Sequence, residues 1–163
     1  MTALEVCDLV TRGGARHFAR VIAACESFGP YCLIGGLAVN CYVEPVYTFD
    51  VGFVVTAPRL PELMADLARR DSPPESDLRI QFTTDQRYQA FLSRAVESDV
   101  LGIRVRIACL ADVTQGKLWA YADPRRRLSK RTKDELDLIR LAESFPDLKA
   151  MYPVELRELL DRG

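Results

Sequence analysis

Histidine is nearly absent from this sequence, with His17 as the single example among 163 residues. This scarcity excludes most catalytic and metal sites that depend on histidine. Long apolar runs are also absent, and no stretch is long enough to span a bilayer. Residues 1–14 lack the basic start and the uninterrupted apolar stretch of a signal peptide. We therefore expect a cytoplasmic protein without a membrane partner.

Cysteine is sparse and unpaired in pattern, because no C-x-x-C sequence occurs and the number of cysteines is odd. The cysteines are Cys7, Cys25, Cys32, Cys41 and Cys109. We expect reduced thiols in the core, and neither a disulfide framework nor a zinc site.

The sequence also lacks an excess of positive or negative charge, since 22 Lys and Arg against 23 Asp and Glu leave a net charge of -1. This balance argues against a strongly basic nucleic-acid binder, although it allows a local basic patch.

The chain is long enough to bury the core of one domain, which we place over residues 1–163. Alternating or short apolar runs predict strands, and apolar residues at three- and four-residue steps predict helices. The predicted strands are Tyr31–Ile34, 48–56, 78–83 and 103–109. The predicted helices are 15–28, 37–42, 58–70, 112–121, 132–144 and one that begins at Pro153. The order predicts an α+β (mixed α/β) fold, a small mixed sheet flanked by helices, with a core over about 15–122.

Residues 31–55 are the most informative stretch. Gly35-Gly36 ends an apolar strand and opens a helix, and Asp50 lies on the next strand. Because side chains alternate along a strand, residues 49, 51, 53 and 55 share a large apolar face. The opposite face carries Thr48, Asp50 and Gly52. We expect the first face to pack on the core and the second to form the floor of a site.

The second half combines basic residues with helix signals. Asp112 is a candidate cap for the helix that carries Lys117. Residues 123–131 are predicted to form a basic loop, followed by C-terminal helices up to residue 163. Thr132 and Glu135 have the spacing of a capping box at the start of the next helix.

Four features, in this order, resemble the nucleotidyltransferase superfamily. They are Gly35-Gly36, Thr48-x-Asp50, the helix with Gly116-Lys117, and Lys133-Asp134-x-x-Asp137. More narrowly, the chain is similar to the small bacterial abortive-infection nucleotidyltransferase toxins. The resemblance covers most of residues 15–146 and implies a minimal nucleotidyltransferase-type sheet. Where those toxins carry Asp-x-Asp, this chain has Asp50-Val51-Gly52.

The resemblance implies transfer of NMP from an NTP to an RNA, protein or small-molecule acceptor, with Mg²⁺ as cofactor. Carried over, Gly35, Gly36 and Thr48 would hold the nucleotide phosphates, and Asp50 would hold the metal. Lys117 would neutralise phosphate, and Asp134 would orient a cation or bind metal through water. The remaining implied nucleotide-binding residues form a cationic wall, namely Lys130, Arg131 and Lys133.

The metal site departs from the pattern, because Gly52 has no side chain to serve as the second ligand. The strand over 103–109 offers Arg104 and Arg106 where a third carboxylate is expected. One of these guanidinium groups is a candidate to fill the place of the missing metal. Other carboxylates are candidate stand-ins for the third ligand: Glu44, Asp85, Asp112 and Asp134.

Several interpretations stay open at this stage. The protein is a toxin-type transferase with an antitoxin-like partner, a catalytically inactive relative that binds a nucleotide, RNA or a partner protein, or a variant silenced at Gly52. Structural alternatives also exist for individual residues. Asp50 could pair with an arginine, Lys117 could cover Trp119, and Lys133 with Asp137 could be a helix-stabilising pair.

Overall fold

The computed structural model describes residues 3–70 and 76–163, which form a mixed sheet flanked by helices. The strands are β1 (Tyr31–Ile34), β2 (Asp50–Val55), β3 (Arg79–Thr83), β4 (Val96–Val100) and β5 (Ile103–Ile107). The α-helices are α1 (Ala3–Val10), α2 (Gly14–Ser27), α3 (Gly35–Val39), α4 (Leu60–Arg70), α5 (Phe91–Arg94), α6 (Leu110–Ala122), α7 (Leu128–Ser144) and α8 (Val154–Arg162). Short 3-10 helices span Ala57–Arg59, Gln86–Tyr88 and Pro146–Met151.

The strand order in the sheet is β3-β2-β1-β5-β4. β1 is antiparallel to β2 and parallel to β5, while β3 is parallel to β2 and β4 is antiparallel to β5. This arrangement confirms the predicted small mixed sheet. The register sets Gly52 opposite Ile34 on β1, and it sets Asp50 beside Arg79 on β3.

One continuous core joins the sheet to helices from both ends of the chain. On α2 the predicted apolar stripe is buried, and the Phe18 ring stacks on Phe53 of β2 at a centroid distance of 6.3 Å. The C-terminal helices share this core, since Leu138 and Leu141 of α7 and Leu156 of α8 are fully buried. Burial of this apolar surface is the main force that holds the helices on the sheet.

Some elements differ from the sequence predictions. Strand β4 and helix α1 were not predicted, and the helix after β1 begins at Gly35 rather than at residue 37. In α4 the spacing of Leu63, Met64 and Leu67 predicts one buried stripe, which is correct for the two leucines and wrong for Met64, which is 48% exposed. The loop that the two prolines predict at 71–76 lies almost entirely outside the described residues.

The largest correction concerns the predicted basic loop. Helix α7 begins at Leu128, so residues 128–131 are helical. Thr132 lies inside α7, and its hydroxyl donates to the Leu128 carbonyl at 3.0 Å, so the predicted capping box is wrong. The turn before the helix forms earlier, because the Asp123 carboxylate accepts the Arg125 N–H at 2.9 Å. This contact is a local turn that aspartate makes readily.

Asp112 is also not a helix cap, because α6 already begins at Leu110. Thr11, by contrast, supports the start of α2, with its hydroxyl oxygen accepting the Gly14 N–H at 2.9 Å. The cysteines are all free thiols.

Within residues 3–70 and 76–163, no helix has the length and apolar character that a membrane crossing requires.

Candidate functional site

A cleft of about 320 Å³ lies where β1 ends and β2 begins, between the sheet and helices α6 and α7. It gathers residues that are far apart in the sequence. The turn after β1 supplies Ile34, Gly35 and Gly36, and the segment around β2 supplies Val46, Tyr47, Thr48, Asp50 and Gly52. Helix α6 and the helix α7 region supply Asp112, Val113, Gly116, Lys117, Ala120, Arg126, Lys130, Lys133, Asp134 and Asp137, and Gln81 and Tyr88 complete the lining.

Asp50 sits at the first position of β2 and is held by two cations. The Arg79 Nε donates to Asp50 Oδ1 at 2.6 Å, and the Lys130 Nζ donates to Asp50 Oδ2 at 2.5 Å. The hydrogen bond from Arg79, with the contact from Lys130, lowers the pKa of the Asp50 carboxyl well below its usual range. Asp50 is therefore ionised at neutral pH, and both of its oxygens are already bonded.

Lys117 is buried against two carboxylates of α7. Its Nζ lies 3.0 Å from Asp134 Oδ1 and 2.7 Å from Asp137 Oδ2, with only 9% of the Lys117 side chain exposed. Asp134 also accepts a hydrogen bond from Arg126. Lys117 thus lies between two acids and ties α6 to α7. Asp134 contacts both Lys117 and Arg126, and its functional role stays a prediction.

Asp137 has a second partner one turn along its own helix. Arg140 Nη1 donates to Asp137 Oδ1 at 2.8 Å, and the same guanidinium donates to the backbone carbonyl of Glu44. Asp137 therefore pairs with Lys117 and Arg140, and the suggested pair between Lys133 and Asp137 does not form. Lys133 is exposed at the cleft and has no ion pair with any residue of 3–70 or 76–163.

The Gly35-Gly36 turn faces this charged cluster. Gly35 has a φ of 77°, in the left-handed region that disfavours side chains. A Cβ on Gly36 would stand 3.7 Å from the Thr48 hydroxyl and 3.9 Å from Asp137 Oδ2. The turn therefore brings main chain close to the polar wall of the cleft.

Two solved structures share this architecture. One is the solution structure of the antibiotic-resistance factor ANT(2'')-Ia, with 14% identity, a TM-score of 0.60 and coverage of 90% of each chain. The other is an antigenic nucleotidyltransferase-like protein from Paracoccidioides brasiliensis, with 18% identity, a TM-score of 0.53 and coverage of 90% of this chain and 85% of that one. The chain has a nucleotidyltransferase-like fold. No protein-family model matches the sequence, and no curated protein matches it significantly.

In this nucleotidyltransferase-like fold the carboxylates do not fit a two-metal site. Both Asp50 oxygens are bonded to cations, and Gly52 offers no ligand. A Cβ at residue 52 would meet Ile34 Cγ1 at 3.3 Å, so the Ile34 side chain leaves little room there. Among the residues that the structure describes, no group of three or more His, Cys, Asp or Glu side chains could hold a metal ion.

The suggested replacements do not repair the metal site. Asp112 is bound by both nitrogens of an Arg94 fork at 2.9 Å, and Asp134 is bound to Lys117 and Arg126. Glu44 and Asp85 do not line the cleft. The two candidate arginines of β5 are also elsewhere, since Arg104 pairs with Glu97 at 3.6 Å and Arg106 donates to the Ala95 carbonyl at 3.0 Å.

The structure gathers all but one of the predicted site residues. Gly35, Gly36, Thr48, Asp50, Lys117, Lys130, Lys133 and Asp134 line the same cleft, although their roles stay predictions. Arg131 is the exception and its place in the cationic wall was wrong. It lies one helical step from Lys130, points to the other side of α7, and lines a separate cavity with Trp119 and Tyr152.

The sequence reasoning missed several residues in the cleft or just outside it. Arg79 was unassigned because its contact with Asp50 depends on which strand pairs with β2. Arg126 and Arg140 were missed because their partners lie on other elements or across a helix turn. Tyr47 and Tyr88 both line the cleft, and no sequence signal separates them from tyrosines of the core or rim. The sequence held one signal for these residues. The two-residue alternation along β3 sets Arg79 and Gln81 on the same face of the sheet.

Proposed function

We propose that this protein binds a nucleoside triphosphate in the cleft, mainly through the phosphates. The cations that surround the acids of the cleft carry this proposal. The lining holds four cations and four acids, and three arginines just outside it, Arg79, Arg94 and Arg140, each pair with one of these acids. With these arginines counted, seven cations surround four acids, and a polyanionic ligand would balance them.

Lys130 and Lys133 are the expected phosphate contacts. They lie three residues apart on α7, so their side chains emerge from the same helix face. Lys133 is exposed and unpaired with any described residue, and Lys130 shares its ammonium with one partly exposed carboxylate. Lysine ammonium groups bind phosphate oxygens as mobile point charges. The Gly35-Gly36 turn supplies main chain beside the same wall.

Tyr47 is the expected contact for the base. Its side chain is 57% exposed at the cleft and meets the Phe49 ring edge-on at a centroid distance of 4.7 Å. An exposed aromatic ring that a neighbour holds in place is a suitable stacking surface for a nucleobase. Binding of the base would distinguish a nucleotide site from a plain phosphate site.

Catalytic transfer does not form part of this proposal, because the carboxylates fit no two-metal site. NMP transfer to an RNA, protein or small-molecule acceptor, and a toxin role with an antitoxin-like partner, would each require an activity that this donor set does not explain. The inactive, nucleotide-binding interpretation of the sequence is therefore the one that the geometry favours.

Calorimetric titration with ATP, CTP, GTP and UTP, each with Mg²⁺ and with EDTA, tests the proposal. We expect at least one nucleotide to bind in both conditions, and the Lys130→Ala, Lys133→Ala double variant to weaken it about tenfold or more. Lys149→Ala is the matched control, because Lys149 lies on the C-terminal 3-10 helix outside the cleft. Tyr47→Ser should weaken ATP and leave inorganic tripolyphosphate unchanged.

The titrations have two outcomes that would contradict the proposal. One is that no nucleotide binds to the wild type. The other is that a nucleotide binds with equal affinity to the wild type and to the double lysine variant. Magnesium-dependent release of pyrophosphate from an NTP, lost in Asp50→Ala, would instead support the transferase interpretation.

A further inference from the structure

We infer that Asp50 is an internal counter-ion, so that a polyphosphate chain binds this cleft without a divalent cation by taking Lys130 and Arg79 from it. The inference rests on the proposed function for the location of the ligand. It gives Asp50 a role opposite to that of a metal ligand. A metal ligand promotes nucleotide binding, whereas a counter-ion competes with it.

The contacts of Asp50 support this role. Its two oxygens are bonded by cations from two separate elements, Arg79 on β3 and Lys130 on α7. Each Asp50 oxygen therefore accepts a short hydrogen bond from a charged nitrogen, which is the kind of contact that also binds phosphate oxygens. The carboxylate stands at the cleft wall, where a phosphate would meet the same two cations.

Exposure separates this ion pair from the other ion pairs in the cleft. The Asp50 and Lys130 side chains are each 29% exposed, and Arg79 is 60% exposed. A dissolved anion can therefore reach both cations. The Lys117 pairs with Asp134 and Asp137 are almost completely buried, with 1% and 6% of the acid side chains exposed. We therefore assign a structural role to those buried ion pairs. The ion pairs of Asp50 are the ones in which a dissolved anion can replace the carboxylate.

The exchange needs no metal because Lys130 and Arg79 each keep an anionic partner throughout. A polyphosphate oxygen replaces a carboxylate oxygen on Lys130 and on Arg79, and the released Asp50 carboxylate returns to water. Exposed ion pairs are individually weak, so the replaced contacts do not prevent exchange. Lys133 adds a contact that has no competing acid among the described residues. Removal of the Asp50 charge should therefore strengthen binding.

Titration of inorganic tripolyphosphate in EDTA tests this inference. We expect Asp50→Asn to bind about tenfold tighter than the wild type, since two partly exposed ion pairs no longer compete. Adding Lys130→Ala to Asp50→Asn should remove this gain. Asp161→Asn is the matched control, because it removes the same charge from the exposed face of α8, where Asp161 pairs with Lys149 at 3.4 Å.

A second variant keeps the test informative if Asp50→Asn does not fold. Arg79→Gln changes an exposed side chain, and it should weaken tripolyphosphate binding severalfold in EDTA. Arg59→Gln is its control, since Arg59 is also exposed but pairs with Glu62, whereas Arg79 pairs with Asp50. Circular dichroism and thermal melting establish that each variant is folded.

The outcomes separate this inference from the nucleotide proposal. Tripolyphosphate binding that follows the expected order, with no NTP bound, supports the counter-ion role and overturns the nucleotide proposal. NTP binding that Asp50→Asn weakens, or that needs Mg²⁺, supports a ligand in the cleft and overturns the counter-ion role. Failure of every variant to bind tripolyphosphate also overturns the counter-ion role.

Discussion

Gly52 is the single residue that most changes the chemistry of the cleft. It lies on β2 two residues after Asp50 and lines the same wall. A carboxylate at residue 52 would make this wall acidic. With glycine there, Asp50 is the acid on this part of β2, and it pairs with Lys130 and Arg79. We therefore expect the cleft to favour an anionic ligand over a divalent cation.

A carboxylate at residue 52 should reverse this preference. We expect Gly52→Asp to lower the affinity for tripolyphosphate in EDTA severalfold, because the added charge stands beside Asp50 and repels phosphate. Gly52→Ala controls for the added Cβ, which would contact Ile34 Cγ1 at 3.3 Å. Tighter tripolyphosphate binding by Gly52→Asp in EDTA would contradict the electrostatic explanation.

The buried thiols should be inert at ordinary pH. Burial raises the pKa of Cys25 and the pKa of Cys32 to about 12. Because the thiolate is the reactive form, only about one thiol in ten thousand is ionised at pH 8. We expect iodoacetamide to leave both cysteines unmodified in the folded protein and to modify them in urea, as measured by mass spectrometry. Rapid labelling of either cysteine in the folded protein at pH 8 would contradict the burial.

At the scale of elements, the buried charges around Lys117 hold α6 against α7. Lys117→Met should lower the free energy of unfolding by about 3–5 kcal/mol, because it leaves Asp134 and Asp137 buried without their shared cation. Urea unfolding measures the change. Adding Asp134→Asn and Asp137→Asn should recover part of the loss, and Lys149→Met on the surface should cost little. A loss below 1 kcal/mol would show that the cluster is not a structural element.

Sequence patterns predicted the elements whose signals are local. The alternation along β2, the Gly35-Gly36 break and the α2 stripe depend on neighbouring residues, and all three appear in the structure. The Thr132 capping box was misleading because the turn at Asp123 starts α7 earlier. The pairing of Asp50 with Lys130 could not be predicted, since it joins residues 80 positions apart through packing of the whole chain.

At the scale of the whole molecule, the sheet and the C-terminal helices share one core. The buried Tyr152 donates its hydroxyl hydrogen to the Leu138 carbonyl at 2.7 Å, which joins the segment before α8 to α7. A single continuous core predicts one cooperative unfolding transition. Far-ultraviolet circular dichroism and the fluorescence of Trp119, the single tryptophan, should give the same urea midpoint. Two separated midpoints would show that the C-terminal helices unfold independently.

We propose that nucleotide phosphates bind at the α7 face of this cleft without a metal. Lysine acylation of the folded protein in EDTA, with and without ATP and read by mass spectrometry, is the direct test. We expect ATP to protect Lys133, and Lys130 with it, while Lys149 reacts at an unchanged rate. Equal reactivity of Lys133 with and without ATP at saturating concentration, or protection that appears only after Mg²⁺ is added, would contradict it.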